Sequence, residues 1–475
     1  MKKKWSYLYI GIIMMILWTP LIGMLVNPTT ETTENREMAE FPKLLKKNRL
    51  NEQFLIGIGK YFEDHFAFRP EMVGANAVAR SRIFLTSATE QIVVGTDGWL
   101  YFKGTLDDYQ GVNILSDRAL YMIAHNLSLM QGLVESSGAK FFYTVAPNKN
   151  TLYGEHMPYY CKAGSVSNLE KLRPYLDSEG VHYVDLVNAF QMRDEILYLK
   201  RDSHWNNKGA VLAYHSLLNA MGKEHETYQE IPYEIRQDYI GDLNRMLYSV
   251  KAEPEQNQYY QVIQNYQLAA DADNVEGDWT IAANEEGQDR ILMYRDSFGN
   301  TLFPFIANEF AETYFTKLEP YSLNQVFRYR PDYVVVERVE RRIASVIEKP
   351  PIMQGPAAVV EKGEESETQS TVQMEKSGSY YVISGEIDPE YLGDHAKIYV
   401  SIVPSGAGGT QFYEAFGMLT EKENGEYCDN GYRLYLYEQT LEESDAYEVQ
   451  LMTVDENGSH TVANKKITVQ YGGEK

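Results

Sequence analysis

The chain has 475 residues, 44% of them hydrophobic and 13% aromatic. That is enough to bury at least one sizeable core and to divide into two globular domains, which excludes a disordered protein. Sixty-seven acidic residues against 44 basic ones leave a formal net charge of −23, a field that repels phosphate backbones, argues against nucleic-acid binding and favours a neutral or weakly charged substrate.

Lys2, Lys3 and Lys4 precede an uncharged span, Trp5–Val26, long enough to cross about 30 Å of hydrocarbon as a helix. Basic residues before the span and the acidic Glu31 and Glu34 after it place the N-terminus in the cytoplasm and the remainder outside. A signal peptide is the alternative. The apolar core is longer than signal peptides carry and lacks a small-x-small cleavage site, so an uncleaved single-pass anchor is expected, kinked at Pro20. Residues 1–30 are therefore read as anchor and linker, with Asn27–Thr33 as its polar stretch.

Residues 31–350 read as one α/β domain. A helical stretch around Leu50–Arg69 comes first, and His65 among its aromatic neighbours is read as a packed residue and not a catalytic one. Ile92–Phe102 forms two short strands around the turn Thr96-Asp97-Gly98. Asp117–Ser137 is an expected helix with Asp117 near its start. Ala139–Val145 is a buried strand running into the loop Ala146-Pro147-Asn148-Lys149. Val181–Leu186 is a further strand, Gly209–Met221 an amphipathic helix, and Arg290–Tyr294 and Pro331–Val339 two more strands. Helices between strands require parallel pairing, which places the ligand site beyond the carboxyl ends of the strands.

Residues 351–373, a polar run without apolar period, read as an interdomain linker. From 374 to 475, short alternating segments such as Tyr380–Ser384, Lys397–Ile402, Tyr432–Tyr437, Tyr447–Thr453 and Ile467–Tyr471 predict an all-β sandwich, either carbohydrate-binding or a spacing module. The 37 tyrosines suit sugar surfaces and half-buried strands alike. Cys161 and Cys428 are too few for a disulfide framework, and a bridge between them is left open. No CxxC or paired-histidine spacing calls for a metal.

Two segments can carry chemistry, Tyr198–Asn206, with Asp202-Ser203-His204-Trp205, and Ile291–Asn300, with Asp296-Ser297-Phe298-Gly299. In the second, an apolar strand ends at a small polar cluster with a glycine soon after, the kind of turn that exposes a serine hydroxyl and its backbone N–H above a sheet. A serine needs a base to take its proton as it attacks. His204 is the candidate base, and Asp202 is placed to orient it and stabilise the imidazolium. The competing reading has Asp202 capping the helix that begins near Asn207, with His204 merely packed beside Trp205.

Over roughly Asn35 to Arg342 the chain resembles the alginate O-acetyltransferase-like branch of the SGNH hydrolases and, within it, the DHHW proteins of Gram-positive bacteria. The resemblance rests on Asn35-Arg36, Phe62–Pro70, Gly98-Trp99-Leu100-Tyr101, Ala146-Pro147-Asn148-Lys149 with Tyr153, Asp202-Ser203-His204-Trp205, Gly241-Asp242-Leu243, Asp296-Ser297-Phe298-Gly299, and Pro331-Asp332 followed by Glu337-Arg338. It implies an SGNH-like parallel-sheet sandwich with Ser297 as nucleophile, His204 as base and Asp202 as its partner. Two departures stand: DxH precedes the serine, as this branch has it, and position 203 is Ser where the family label suggests His. For the oxyanion hole the Ser297 N–H is the first donor, with Asn148 and Arg295 as candidates, while Arg338 is either a further contact or an ordinary strand-end charge.

The expected activity is therefore O-acetylation of a cell-envelope or secreted polysaccharide through an acyl-serine, with no diffusible cofactor. By resemblance, a multispanning membrane acyltransferase passes the acetyl group outward. A polysaccharide acetyl esterase using the same triad, and a non-catalytic glycan-binding or assembly protein, are the alternatives.

Overall fold

The computed structural model describes residues 2–26, 38–46, 49–164, 166–248, 252–269, 274–361, 363–366, 368–406, 411–422, 425–442, 444, 446–456, 458–468 and 470–471. Asn27–Thr33 and Asn35-Arg36, read above as linker and motif, lie outside the described residues. The N-terminal helix α1 (Lys2–Val26) contains Trp5–Met24, which is long and apolar enough to span a membrane.

Seven strands make the sheet that positions the site: β1 (Lys140–Ala146), β2 (Tyr183–Val184), β3 (Gln267–Leu268), β4 (Trp279–Ala283), β5 (Arg290–Tyr294), β6 (Glu312–Thr316) and β7 (Tyr333–Val339). Among the described residues their order is β2-β1-β7-β5-β6-β4-β3. The first five pair in parallel, as helical crossovers require. Strands β4 and β3 add an antiparallel edge that the sequence reading did not foresee. Strand β3 has only two residues, too few to show a period, whereas β4, Trp-Thr-Ile-Ala-Ala, is a short apolar run that the sequence reading passed over.

Apolar side chains on both faces of β1, β5 and β7 explain the two cores. Phe141, Tyr143, Val145, Leu292, Val334 and Val336 pack on one side with helices α2 (Asp117–Ser136) and α3 (Asn168–Ser178). Phe142, Ile291, Met293 and Val335 pack on the other with α4 (Asn207–Met221) and α5 (Gly299–Ala307). Ser116 caps α2 by accepting from the Ala119 N–H.

The expected helix Leu50–Arg69 is in fact two, Phe54–His65 and Arg69–Ile83. Pro70 belongs at the start of a helix, where its missing N–H costs nothing, so it opens the second one instead of closing the first. His65 stacks on Tyr61 with its Nδ1 2.9 Å from the Tyr61 carbonyl, a packing role.

Residues 351–373 do not run free. Ala357–Ala358 pairs with the strand Phe412–Glu421, Glu364–Glu365 pairs with Gly458–Thr468, Met353 is buried, and the Gly355 N–H donates to Tyr435 O at 2.9 Å. Side-chain polarity reports the exposed face of such a segment. Backbone pairing is invisible in it. The C-terminal region that follows is strand-rich, a connected path of mostly antiparallel strands, and Cys161 and Cys428 are both free thiols.

That region docks on α2 through buried polar contacts. Asn126 accepts from the Gly417 N–H at 3.2 Å and donates to Gly417 O at 2.9 Å. His125 sits between Glu179 (2.7 Å) and Glu414 (2.9 Å). Burial alone would lower the His125 pKa, but its bonds to the two carboxylates outweigh this and raise it. The same bond to His125 lowers Glu179. A raised histidine contributes stability below its unfolded value and loses it as pH rises through the folded one. A lowered carboxylate contributes above its unfolded value and loses it as pH falls. Docking is therefore strongest between about pH 4.5 and 6.5. The Tm should fall between pH 6 and pH 9 by more in the native chain than in His125→Ala, which at pH 6 loses about 3 kcal/mol; parallel profiles would refute the assignment.

Candidate active site

The parallel strands end together at the centre of the sheet, and the residues just beyond them form the site. Ser297 lies three residues after β5, its side chain half-buried, and α5 starts two residues later. The turn is held by Asp296, which accepts from the Phe298 N–H (2.9 Å) and the Val339 N–H (2.7 Å), while its own N–H donates to Glu337 at 3.0 Å. Burial, with the neighbouring Asp296 charge, raises the Glu337 carboxyl well above its ordinary range, which favours its neutral form under the Ser297 turn. Gly299 presses on the Arg295 side chain, where a Cβ would come within 2.8 Å of Cδ.

The second segment is closed by an isolated antiparallel bridge between Tyr198 and Trp205, which puts Asp202 and His204 on the tip of a tight loop. His204 Nδ1 is 2.7 Å from Asp202 Oδ1, and His204 Nε2 is 2.7 Å from Ser297 Oγ. The ring rests against Phe298 at 4.7 Å between centroids. The structure thus brings the three expected residues into one hydrogen-bonded chain. Asn206, not Asp202, caps α4, with its side chain accepting from the Gly209 N–H, so the capping reading of Asp202 falls.

Asp202 is buried and takes four donors. Oδ1 accepts from His204 Nδ1 and from the His204 N–H (2.9 Å), and Oδ2 from the Asp242 N–H (2.8 Å) and the Tyr239 hydroxyl (3.3 Å). Burial pushes its pKa up, but the bond and charge of His204 and the backbone donors prevail and hold it low. His204 is pushed down by burial and raised overall by Asp202.

Several supporting residues were in the quoted motifs without an assigned role. Asp242 accepts the Ser203 N–H at 2.8 Å and also bonds the Ser203 hydroxyl, so the serine at position 203 has a definite use. A Cβ on Gly241 would lie 2.3 Å from Arg201 O and 2.8 Å from Asp202 Cβ, a close approach that needs glycine. Lys149 is buried and donates to Leu199 O (3.2 Å), Lys200 O (3.0 Å) and Asp202 O (2.6 Å). Burial lowers its pKa to about 8 against the pull of Asp202 and Glu255. It pins the backbone of the loop that carries Asp202 and His204.

The other expected site residues do different work. Arg295 spends its Nη atoms on Asp296 O, Asn300, Val275 O and Gly277 O, which leaves neither for an oxyanion. Arg338 is buried, not a strand-end charge, and pairs with Glu319 and Tyr321. The Asn148 N–H is held by Glu340 at 2.8 Å and its Nδ2 donates to Asp108 at 3.2 Å, which commits the backbone donor and one of the two amide hydrogens. The Ser297 N–H has no acceptor among the described residues, as an oxyanion donor requires. Arg341, which the sequence reading passed over, lies over Phe102 at 5.2 Å with no hydrogen bond or ion pair among the described residues. Asp202, His204 and Asp242 also lie close enough to hold a cation, but both ring nitrogens of His204 are already engaged by Asp202 and Ser297.

Residues 92–292 match the family model described as SGNH hydrolase-like domain, acetyltransferase AlgX. This range includes Asp202 and His204 and stops just before Ser297. Solved structures similar to the chain include a DHHW family protein from Eubacterium siraeum (17% identity, 54% of this chain and 93% of that one, TM-score 0.42). PatB1 of Bacillus cereus is similar at 17% identity, over 53% of this chain and 96% of that one, with TM-score 0.44. AlgX of Pseudomonas aeruginosa is similar at 12%, over 82% and 98%, with TM-score 0.36. No curated protein matches the chain. Over residues 92–292, the chain is thus similar to the SGNH hydrolase-like domain of AlgX-type acetyltransferases.

Proposed function

We propose that this protein is a membrane-anchored, extracytoplasmic O-acetyltransferase that acetylates a polysaccharide through an acetyl-serine at Ser297. The observation that carries the reading is the continuous hydrogen-bonded chain from Asp202 through His204 to Ser297. In the first step His204 Nε2 takes the Ser297 proton as Oγ attacks the acetyl carbonyl, and the imidazolium returns it to the leaving group. In the second step His204 deprotonates a sugar hydroxyl, which attacks the acyl-serine and restores Ser297. The Ser297 N–H and the start of α5 face the developing oxyanion. Asp202 keeps the imidazole in the tautomer that leaves Nε2 free to accept.

The AlgX acetyltransferase match supports the reaction class, and the apolar helix α1 supports an anchor. A multispanning acyltransferase supplying acetyl, and a C-terminal β-sandwich that holds the polymer, belong to the same reading. The rigid docking of that region through Asn126 and His125 fits a fixed acceptor platform. Water at about 55 M competes for the acyl-enzyme, so transfer demands alignment of the sugar hydroxyl, whose effective molarity can reach about 10⁵ M.

Loading with a chromogenic acetyl ester should add the mass of one acetyl group at Ser297. Added oligosaccharide should then carry the acetyl away in preference to release as acetate. Acetate release that no glycan diverts, with deacetylation of an acetylated glycan, would make the protein an esterase; no loading at all would leave a non-catalytic glycan-binding protein.

A further inference from the structure

The segment after the anchor is unlike the rest of the chain. From Phe41 to Lys60 five basic residues, Lys43, Lys46, Lys47, Arg49 and Lys60, face one acidic residue, Glu52, in a chain of net charge −23. Between them stand Leu44, Leu45, Leu50, Leu55 and Ile56, all exposed, Leu50 by 74% and Leu55 by 78%. Leu45–Lys46 pairs antiparallel with Arg49–Leu50, with Leu45 opposite Leu50. Two leucines therefore stand side by side on a short hairpin flanked by cations. In the helix Phe54–His65, Leu55 and Phe62 are two turns apart and share an exposed face.

Scattered exposed leucines need no explanation, but a contiguous apolar patch does. This one is bordered by positive charge, the pairing that suits a bilayer surface, where apolar side chains enter the headgroup layer and cations meet lipid phosphates. It also adjoins the membrane-crossing helix: a Cβ on Gly23, near the outer end of α1, would lie 2.4 Å from Ala67 Cβ and 3.2 Å from the Phe68 ring.

We propose that Phe41–Phe62 is a membrane-surface platform, its leucines and Phe62 seated among the lipid headgroups of the bilayer that α1 crosses and its basic residues on anionic lipid phosphates. This rests on the reading of α1 as an anchor. The platform fixes the orientation of the catalytic domain over the membrane, which a single spanning helix alone does not.

The test uses the full chain with Cys161→Ser and Cys428→Ser. Single cysteines at Leu45→Cys, Leu50→Cys or Leu55→Cys, and at the exposed Val359→Cys as control, carry an environment-sensitive fluorophore. The protein is reconstituted in phosphatidylglycerol/phosphatidylcholine vesicles with nitroxide-labelled acyl chains. Labels at 45, 50 and 55 should be quenched severalfold and the label at 359 not at all. Changing Lys43, Lys46, Lys47 and Arg49 to Gln, in a variant whose circular dichroism and Tm match the parent, should reduce that quenching, as should omitting phosphatidylglycerol. Protein that floats with the vesicles while labels 45–55 stay unquenched overturns the platform and leaves the anchor standing. Failure to float overturns both. Labels shielded from water only as protein concentration rises, without lipid quenching, would mean that a second copy covers the patch, which also overturns the proposal.

Discussion

Replacing Ser297 with Ala is expected to reduce acetyl-ester turnover by about 10⁴-fold or more, with no acetyl adduct on the protein and an unchanged fold. The hydroxyl is half-buried, and among the described residues its side-chain partner is His204 at 2.7 Å, so its loss removes the proposed nucleophile without opening a core cavity. The backbone N–H that would face the oxyanion survives. Residual activity therefore reports the oxyanion site and substrate binding alone. The measurement is steady-state ester hydrolysis beside intact-protein mass after loading, with circular dichroism as the check on folding. Native-like turnover in Ser297→Ala would end the triad assignment.

Asp202→Asn should be nearly as damaging, at about 10³- to 10⁴-fold in kcat, although it deletes no reacting atom. Every group around the Asp202 carboxylate is a donor: His204 Nδ1, the His204 N–H, the Asp242 N–H and the Tyr239 hydroxyl. An amide nitrogen in that ring must face a donor. The side chain then loses a bond, or the imidazole moves its proton to Nε2, where it can no longer accept from Ser297. The pH profile separates this from simple misfolding. Activity needs neutral His204, whose pKa Asp202 raises above the ordinary value, so the native rate climbs through a limb above about pH 6.5. In Asp202→Asn that limb should move to lower pH even as the plateau drops. A plateau loss with the limb unmoved would show that Asp202 does not act through the imidazole.

The supporting network extends the same logic. Lys149 holds the loop backbone through three carbonyls, Asp242 holds Ser203, and Asp296 joins the Ser297 turn to the end of β7. None of these bonds the Ser297 hydroxyl or the His204 Nε2, so on the proposed reading each is a positioning residue. Their places explain why Ala-Pro-Asn-Lys, Gly-Asp-Leu and Asp-Ser-Phe-Gly accompany the triad.

Local pattern in the sequence was enough for much of this molecule. An uncharged apolar span needs no partner to be recognised, because its length against a bilayer is the whole argument. The strand Arg290–Tyr294, the helix over 117–136 and the hairpin around Thr96-Asp97-Gly98 follow from period and turn chemistry, whereas for Asp202, His204 and Ser297 local chemistry left a capping alternative open and the resemblance to the alginate O-acetyltransferase-like branch singled them out. What escaped depends on contacts between segments distant in sequence. The roles of Arg295, Arg338 and Asn148 turned on which acceptors lay nearby, and a guanidinium or amide reads the same whether it waits for substrate or is already spent on a carbonyl. The polar run 351–373 looked free because composition describes side chains, whereas its backbone pairs with strand edges far along the chain. Only the folded sheet brings the ends of β1, β5 and β7 together, and only there do Asp202 and Ser297, remote in sequence, come to share one imidazole, since hydrogen bonds are decided by distances that local pattern does not contain.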